Sequence, residues 1–221
     1  MKILKSIFNK KPYGDISDIE EYINYNYGNK NYKLTEIFSL EKYIDFHRAG
    51  EKSKGDCLLV AIATVMEFHK NIGRYGFPDN YDEIYKIVLK KANGLKAYPI
   101  PLRGGTTPLL ANNIASRYLK EIGMKNYRSK NIYGIDWTSS KRKTNIILNE
   151  IRNLRPIVFN ISSGYYKNHS ITIIGYRIYE NSFNDRIIIL ELADAWVKYI
   201  KYLNLNNFNT VSSITKIDPG F

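Results

Sequence analysis

An α+β fold, helical in its first half and antiparallel β in its second, is what this 221-residue sequence predicts. Three observations carry the prediction. The run Leu58–Met66 is apolar on nearly every helical face, which marks a central helix buried among other elements. From Ile157 onward the period changes, and Ile157–Ile161, Ser170–Tyr179 and Arg186–Leu192 are β-branched and apolar. Polar turns at 162–164 and 181–185 separate these segments, so they read as antiparallel neighbours.

Taken in order, residues 1–33 are polar and rich in Tyr and Asn, with breaks at Gly14 and Gly28. They read as an extended or partly helical lead-in. Leu34–Phe46 mixes apolar and charged residues and is expected to form a short helix, followed by a polar loop over 47–56. The buried helix is predicted over Cys57–His69, with Ser53 and Asp56 spaced as a capping box ahead of it. Tyr81–Ala92 has helical spacing (Ile84, Ile87, Val88) and a stop at Asn93-Gly94.

The stretch Gly104-Gly105-Thr106-Thr107-Pro108 lacks the lysine and glycine spacing of a phosphate-binding loop. Thr107 as N-cap and Pro108 at the first helical position explain it better, with a helix to about Ile122 ending at Gly123. A further helix spans Lys143–Leu154 and breaks at Arg155-Pro156, and a last strand is expected around Trp196–Tyr202. The chain reads as a single domain, 1–221: lead-in 1–50, helical lobe 51–155, β lobe 156–221.

Composition narrows the function. The longest apolar run is too short to cross a bilayer, which needs about 20 residues. Met1–Phe8 has basic residues but no apolar core of secretory length, so the expected location is cytoplasmic if Met1 is the native start, and secreted if a signal peptide has been removed. The formal charge of +12 raises the question of an acidic partner. Its basic residues are dispersed, apart from Lys141-Arg142-Lys143, and abundant Asn, Lys, Tyr and Ile with no Gln fit an A+T-rich coding bias. A nucleic-acid role is therefore disfavoured. One cysteine excludes an intramolecular disulfide and any multi-cysteine zinc site. No histidine pair has ligand spacing, so neither a metal nor any other cofactor is expected.

The single cysteine opens the predicted central helix, where unsatisfied amides and the helix dipole favour a thiolate. His169 starts a strand at a loop junction, and Asp194 lies 25 residues on, a separation that lets a hairpin return the chain to its starting end. A thiol nucleophile needs a base, and the base needs an acceptor on its other ring nitrogen. Cys57, His169 and Asp194 can fill those roles in that order. His47, in a polar loop, and His69, at a helix end, read as structural.

With these residues in view, the chain resembles the papain-like cysteine peptidases, most of all bacterial proteins related to the double-glycine leader peptidases. The resemblance spans roughly 50–200. It rests on Asp56-Cys57 at a helix start, Gly105 with the helix Tyr118–Gly123, the approach Ile151–Val158, His169 with Gly175-Tyr176, and Asp194-Ala195-Trp196. It implies a helical lobe with a buried central helix packed on an antiparallel sheet, and a peptide or protein substrate. It also implies Cys57 as nucleophile, His169 as base then acid, Asp194 as orienter, and Trp196 as the aromatic shield beside the acid. The oxyanion would sit on the Cys57 amide and on a glutamine about six residues earlier. That position is Glu51 here, and an ionised carboxylate has no proton to donate. The expected activity is hydrolysis of a peptide or isopeptide bond. A transferase using the same triad, or a catalytically silent binding domain, are the alternatives.

Overall fold

The computed structural model describes residues 14–100, 105–134, 141–208 and 212–220. The reading of Met1–Phe8, residue Gly104 and the side chains of Lys141–Lys143 lie outside the described residues. Among the described residues, five α-helices and seven strands are formed. They are α1 (Ile19–Tyr27), β1 (Lys33–Ser39), α2 (Cys57–Asn71), α3 (Tyr81–Gly94), α4 (Ala111–Glu121) and β2 (Arg128–Gly134). There follow α5 (Lys141–Arg152), β3 (Ile157–Ile161), β4 (His169–Glu180), β5 (Arg186–Ala193), β6 (Lys201–Asn204) and β7 (Ser212–Asp218).

The strands make one antiparallel sheet in the order β2-β7-β3-β4-β5-β6, with β1 also paired to β4. β4 is long enough to hold two partners on one edge: His169–Ile173 pairs with β3, and Gly175–Glu180 pairs with β1. Gly175 sits where these partners meet. A Cβ there would come within 2.7 Å of the Phe38 carbonyl oxygen, so no side chain fits. The register of β4 on β5 shifts at the same point, as at a bulge.

Alternation along the strands gives the sheet two covered faces. Phe159, Ile171, Ile173, Leu190 and Leu192 pack with Ile147, Leu148 and Ile151 of α5. Val158 and Ile217 pack with α2, α3 and α4. α2 is the most buried helix among the described residues: Leu58, Leu59, Ile62, Val65, Met66 and Phe68 are all fully covered. Each such side chain contributes about 1.5–3 kcal/mol of transfer free energy, so the helix that carries the cysteine is held firmly. The Thr172 hydroxyl donates to the Ala61 carbonyl at 3.3 Å and ties α2 to β4.

Three expectations need correction. Leu34–Phe46 is not a helix: Lys33–Ser39 is strand β1, and only Glu41–Tyr43 turns helically, as a short 3₁₀ segment. The open edge of β4 beyond β3 offers backbone partners that override the local pattern. The last expected strand is shorter, β6 alone, because 194–200 is loop. The Ser53/Asp56 pair does not cap α2, since Asp56 is the N-cap and makes no side-chain cap. Its carboxylate turns back into the loop instead. Within the lead-in, Asp18 caps α1 by accepting from the Glu21 amide at 2.9 Å. Ile19, Tyr22 and Ile23 then cover Tyr179, Ile187, Ile189 and Tyr202 of the sheet. Among the described residues, no helix is long and apolar enough to cross a membrane.

Candidate active site

Cys57 is the first residue of α2 and is partly buried. Its amide belongs to the first turn, where N–H groups have no intrahelical partner. The Leu58 amide and the main chain and hydroxyl of Ser170 lie close enough to the sulfur to favour its ionised form. Burial nevertheless pushes the thiol pKa up, and the neighbouring Asp56 carboxylate acts in the same direction. The helix start alone led to the opposite expectation. Desolvation is the larger effect here.

His169 is buried against aromatic rings. It stacks on Trp196 at 4.4 Å between centroids and on Tyr166 at 6.1 Å. Gly14 lies behind Tyr166, and a Cβ there would come within 2.7 Å of the Tyr166 ring. Nε2 of His169 is 2.5 Å from the main-chain carbonyl of Asp194. A carbonyl only accepts, so Nε2 must carry the proton, and in the neutral ring Nδ1 is left as a free base. Burial lowers the His169 pKa and favours that neutral ring, while the Asp194 contact opposes the shift.

Asp194 thus meets the histidine through its backbone. Its carboxylate is used otherwise: Oδ1 accepts from the amides of Trp196 at 2.9 Å and Val197 at 3.2 Å. This closes a tight turn through Ala195, whose φ is +60°, and aims Trp196 back over the imidazole. The hairpin of β4 and β5 therefore brings His169 and Asp194 together. Cys57 is joined to the same strand through Ser170, the residue after the histidine.

The loop before Cys57 is anchored by hydrogen bonds to α3 and to the turn after Asp194. The fully buried Asp56 accepts from the Gly50 amide at 2.7 Å, the Ser53 amide at 3.2 Å and the Tyr85 hydroxyl at 2.6 Å. The Ala49 amide donates to the Ala195 carbonyl at 2.8 Å. Glu51 pairs with Lys198 at 3.3 Å, both side chains being exposed. The structure thus turns the Glu51 carboxylate to a cation on the loop that follows Asp194, and that pair offsets its charge.

Sequence reasoning missed Asn160, Ser170 and Tyr166. A signal existed for one of them. Asn160 is the only polar residue in Ile157–Ile161, where every position is buried, and a buried amide in an apolar strand requires partners. His47 and His69 lie elsewhere. His47 pairs with Glu67 of α2 at 2.7 Å, and His69 is fully buried with Nδ1 3.0 Å from the Arg74 guanidinium.

The two buried imidazoles have a consequence for stability. Burial, with Arg74 and Arg155 adding to it, holds the His69 pKa well below its ordinary value, and burial lowers that of His169. Unfolded, each ring binds a proton below about pH 6.5. Stability is therefore complete above that pH and falls as pH drops through it, by up to about 1.4 kcal/mol per pH unit for each histidine. Urea unfolding between about pH 7.5 and pH 5 is expected to show this slope, and His69→Phe to reduce it. An equal slope in the variant would contradict the assignment of His69.

A cysteine opening the buried helix of an α+β fold, with a histidine at a strand start of an antiparallel sheet, defines the papain-like cysteine-peptidase type of fold. A family model described as "Peptidase_C39 like family" matches residues 52–211, and the chain belongs to that family. A comparison with curated proteins finds no match.

Proposed function

We propose that this protein is a thiol hydrolase that cleaves a peptide or isopeptide bond, with Cys57 as nucleophile and His169 as base. The observation that carries the reading is the Nε2 contact of His169 with the Asp194 carbonyl. It fixes the tautomer that leaves Nδ1 free to take the thiol proton, on the strand whose next residue touches that thiol. Family membership supports the same chemistry and a peptide substrate.

Burial favours the neutral thiol and the neutral imidazole, so the resting pair is uncharged rather than an ion pair. Sγ attacks the scissile carbonyl carbon while its proton passes to Nδ1 of His169. The oxyanion is met by the Cys57 amide at the head of α2. Collapse expels the amine, which takes the proton back from His169 and leaves a thioester on Cys57. Water then attacks the thioester, gives its proton to the same nitrogen, and the acid leaves as Sγ recovers its hydrogen. Bonds from thiol to base are often long without substrate and tighten on binding. Asp194 orients the base through its main chain, and Trp196 shields the ring from water.

The test is cleavage of a peptide panel that includes Gly-Gly sites, together with capture of peptide aldehydes on Cys57. The expected result is turnover, an aldehyde adduct at Cys57, and loss of both in Cys57→Ala. With a neutral resting pair, iodoacetamide labelling should be slower near pH 7 than that of a free thiol of pKa about 8.5. Labelling that is already fast and flat at acidic pH would mean a preformed ion pair. Neither cleavage nor adduct would leave a silent binding domain.

A further inference from the structure

The groups beneath the Cys57 thiol form a line of buried polar side chains across three strands. Ser170 of β4 faces Asn160 of β3, and Asn160 faces Ser213 of β7, each pair in register. The Ser170 hydroxyl donates to Asn160 Oδ1 at 2.7 Å, and Asn160 Nδ2 is 3.3 Å from the Ser213 hydroxyl. All three residues are buried. Two residues further along β4, Thr172 reaches the α2 carbonyl of Ala61, so this row of β4 faces the cysteine helix.

We infer that Ser170 is a positioning residue for the Cys57 sulfur, acting through a hydroxyl whose single proton is shared between Asn160 and the thiolate. The inference deepens the proposed reading of Cys57 as nucleophile and rests on it for its catalytic meaning. In the resting protein the hydroxyl proton is committed to Asn160 and only its lone pairs face the neutral thiol. When the thiol ionises, its proton leaves to His169 or to water. The hydroxyl can then turn to Sγ, because a bond to a charged acceptor is stronger than one to a neutral amide. Asn160 is thus a competitor for the proton that the thiolate uses. The titratable group acting on the thiol is Asp56 at the head of α2, which Tyr85 of α3 holds.

The two partners therefore act with opposite sign on the thiol. Cys57 is the only cysteine in the chain, so labelling of the full-length protein by iodoacetamide, followed by intact mass from about pH 6 to about pH 10, reads this thiol alone. Ser170→Ala is expected to move the labelling midpoint up by about one pH unit, and to slow labelling about tenfold at a fixed pH below it. Ser170→Thr keeps a hydroxyl and is expected to restore the midpoint. Asn160→Ala frees the hydroxyl proton and is expected to move the midpoint down. A purely structural role would shift both alanine variants in the same direction, and that result, or unchanged midpoints, would overturn the inference. If Ser170→Ala does not fold, Asn160→Ala decides alone, and a midpoint that fails to drop counts against it. The readout needs no turnover. Opposite shifts without peptide cleavage would keep Ser170 in its role and remove the hydrolase reading, whereas cleavage without the shifts would do the reverse.

Discussion

His169→Ala is expected to lower peptide hydrolysis by about 10⁴- to 10⁶-fold, the loss typical when the base of a catalytic unit is removed. Asp194→Asn is expected to cost less than about tenfold. The contrast follows from the atoms involved. The imidazole hydrogen-bonds the Asp194 main-chain carbonyl, which every substitution keeps. The carboxylate holds only the Trp196 and Val197 amides, and an asparagine Oδ1 can accept both. Turnover of both variants against the same peptide, with circular dichroism to confirm folding, checks the pair. A loss on the order of 10⁴ in Asp194→Asn would mean that the carboxylate itself orients the ring during reaction.

Asp56→Ala is expected to destabilise the protein by about 3 kcal/mol, since it strands donors that the carboxylate alone satisfies. Those donors are the Gly50 and Ser53 amides and the buried Tyr85 hydroxyl. The same change should reduce turnover more than stability explains, because the loop it organises leads directly into Cys57. Tyr85→Phe removes only one of the three bonds and is expected to cost about 1 kcal/mol. Urea midpoints for the two variants give the comparison. A loss in Asp56→Ala no larger than in Tyr85→Phe would show that water replaces the carboxylate.

Much of the frame was legible because it is written in local periodicity. The apolar run after Cys57 could only be a buried helix. The β-branched segments Ile157–Ile161, Ser170–Tyr179 and Arg186–Leu192 lie within β3, β4 and β5. The hairpin spacing also anticipated that His169 and Asp194 meet, since antiparallel strands return the chain to the same end. β1 was misread for the converse reason. Its residues are mostly exposed, so no clean alternation marks it, and its conformation is imposed by pairing with β4. β2 and β7 escaped notice, as β2 is an edge strand and β7 carries the polar residues Ser212, Ser213 and Thr215 inside the protein.

The site divides along the same line. Which residue types approach one another follows from chain order and from strand period, both properties of the sequence. Which atoms meet does not. The orientation of Asp56 into its loop, the use of the Asp194 carbonyl in place of its carboxylate, the pairing of Glu51 with Lys198 and the contact of Ser170 with Cys57 all depend on side chains distant in sequence. The pKa directions belong here too. The helix start by itself favours a thiolate, but burial is a property of the assembled fold, and desolvation is the largest influence, leaving Cys57 raised and His169 lowered. The sequence by itself determined the α+β frame and the meeting of His169 with Asp194. Tertiary packing decided the site's hydrogen-bond partners and resting charge, because both depend on water excluded by elements far apart in the chain.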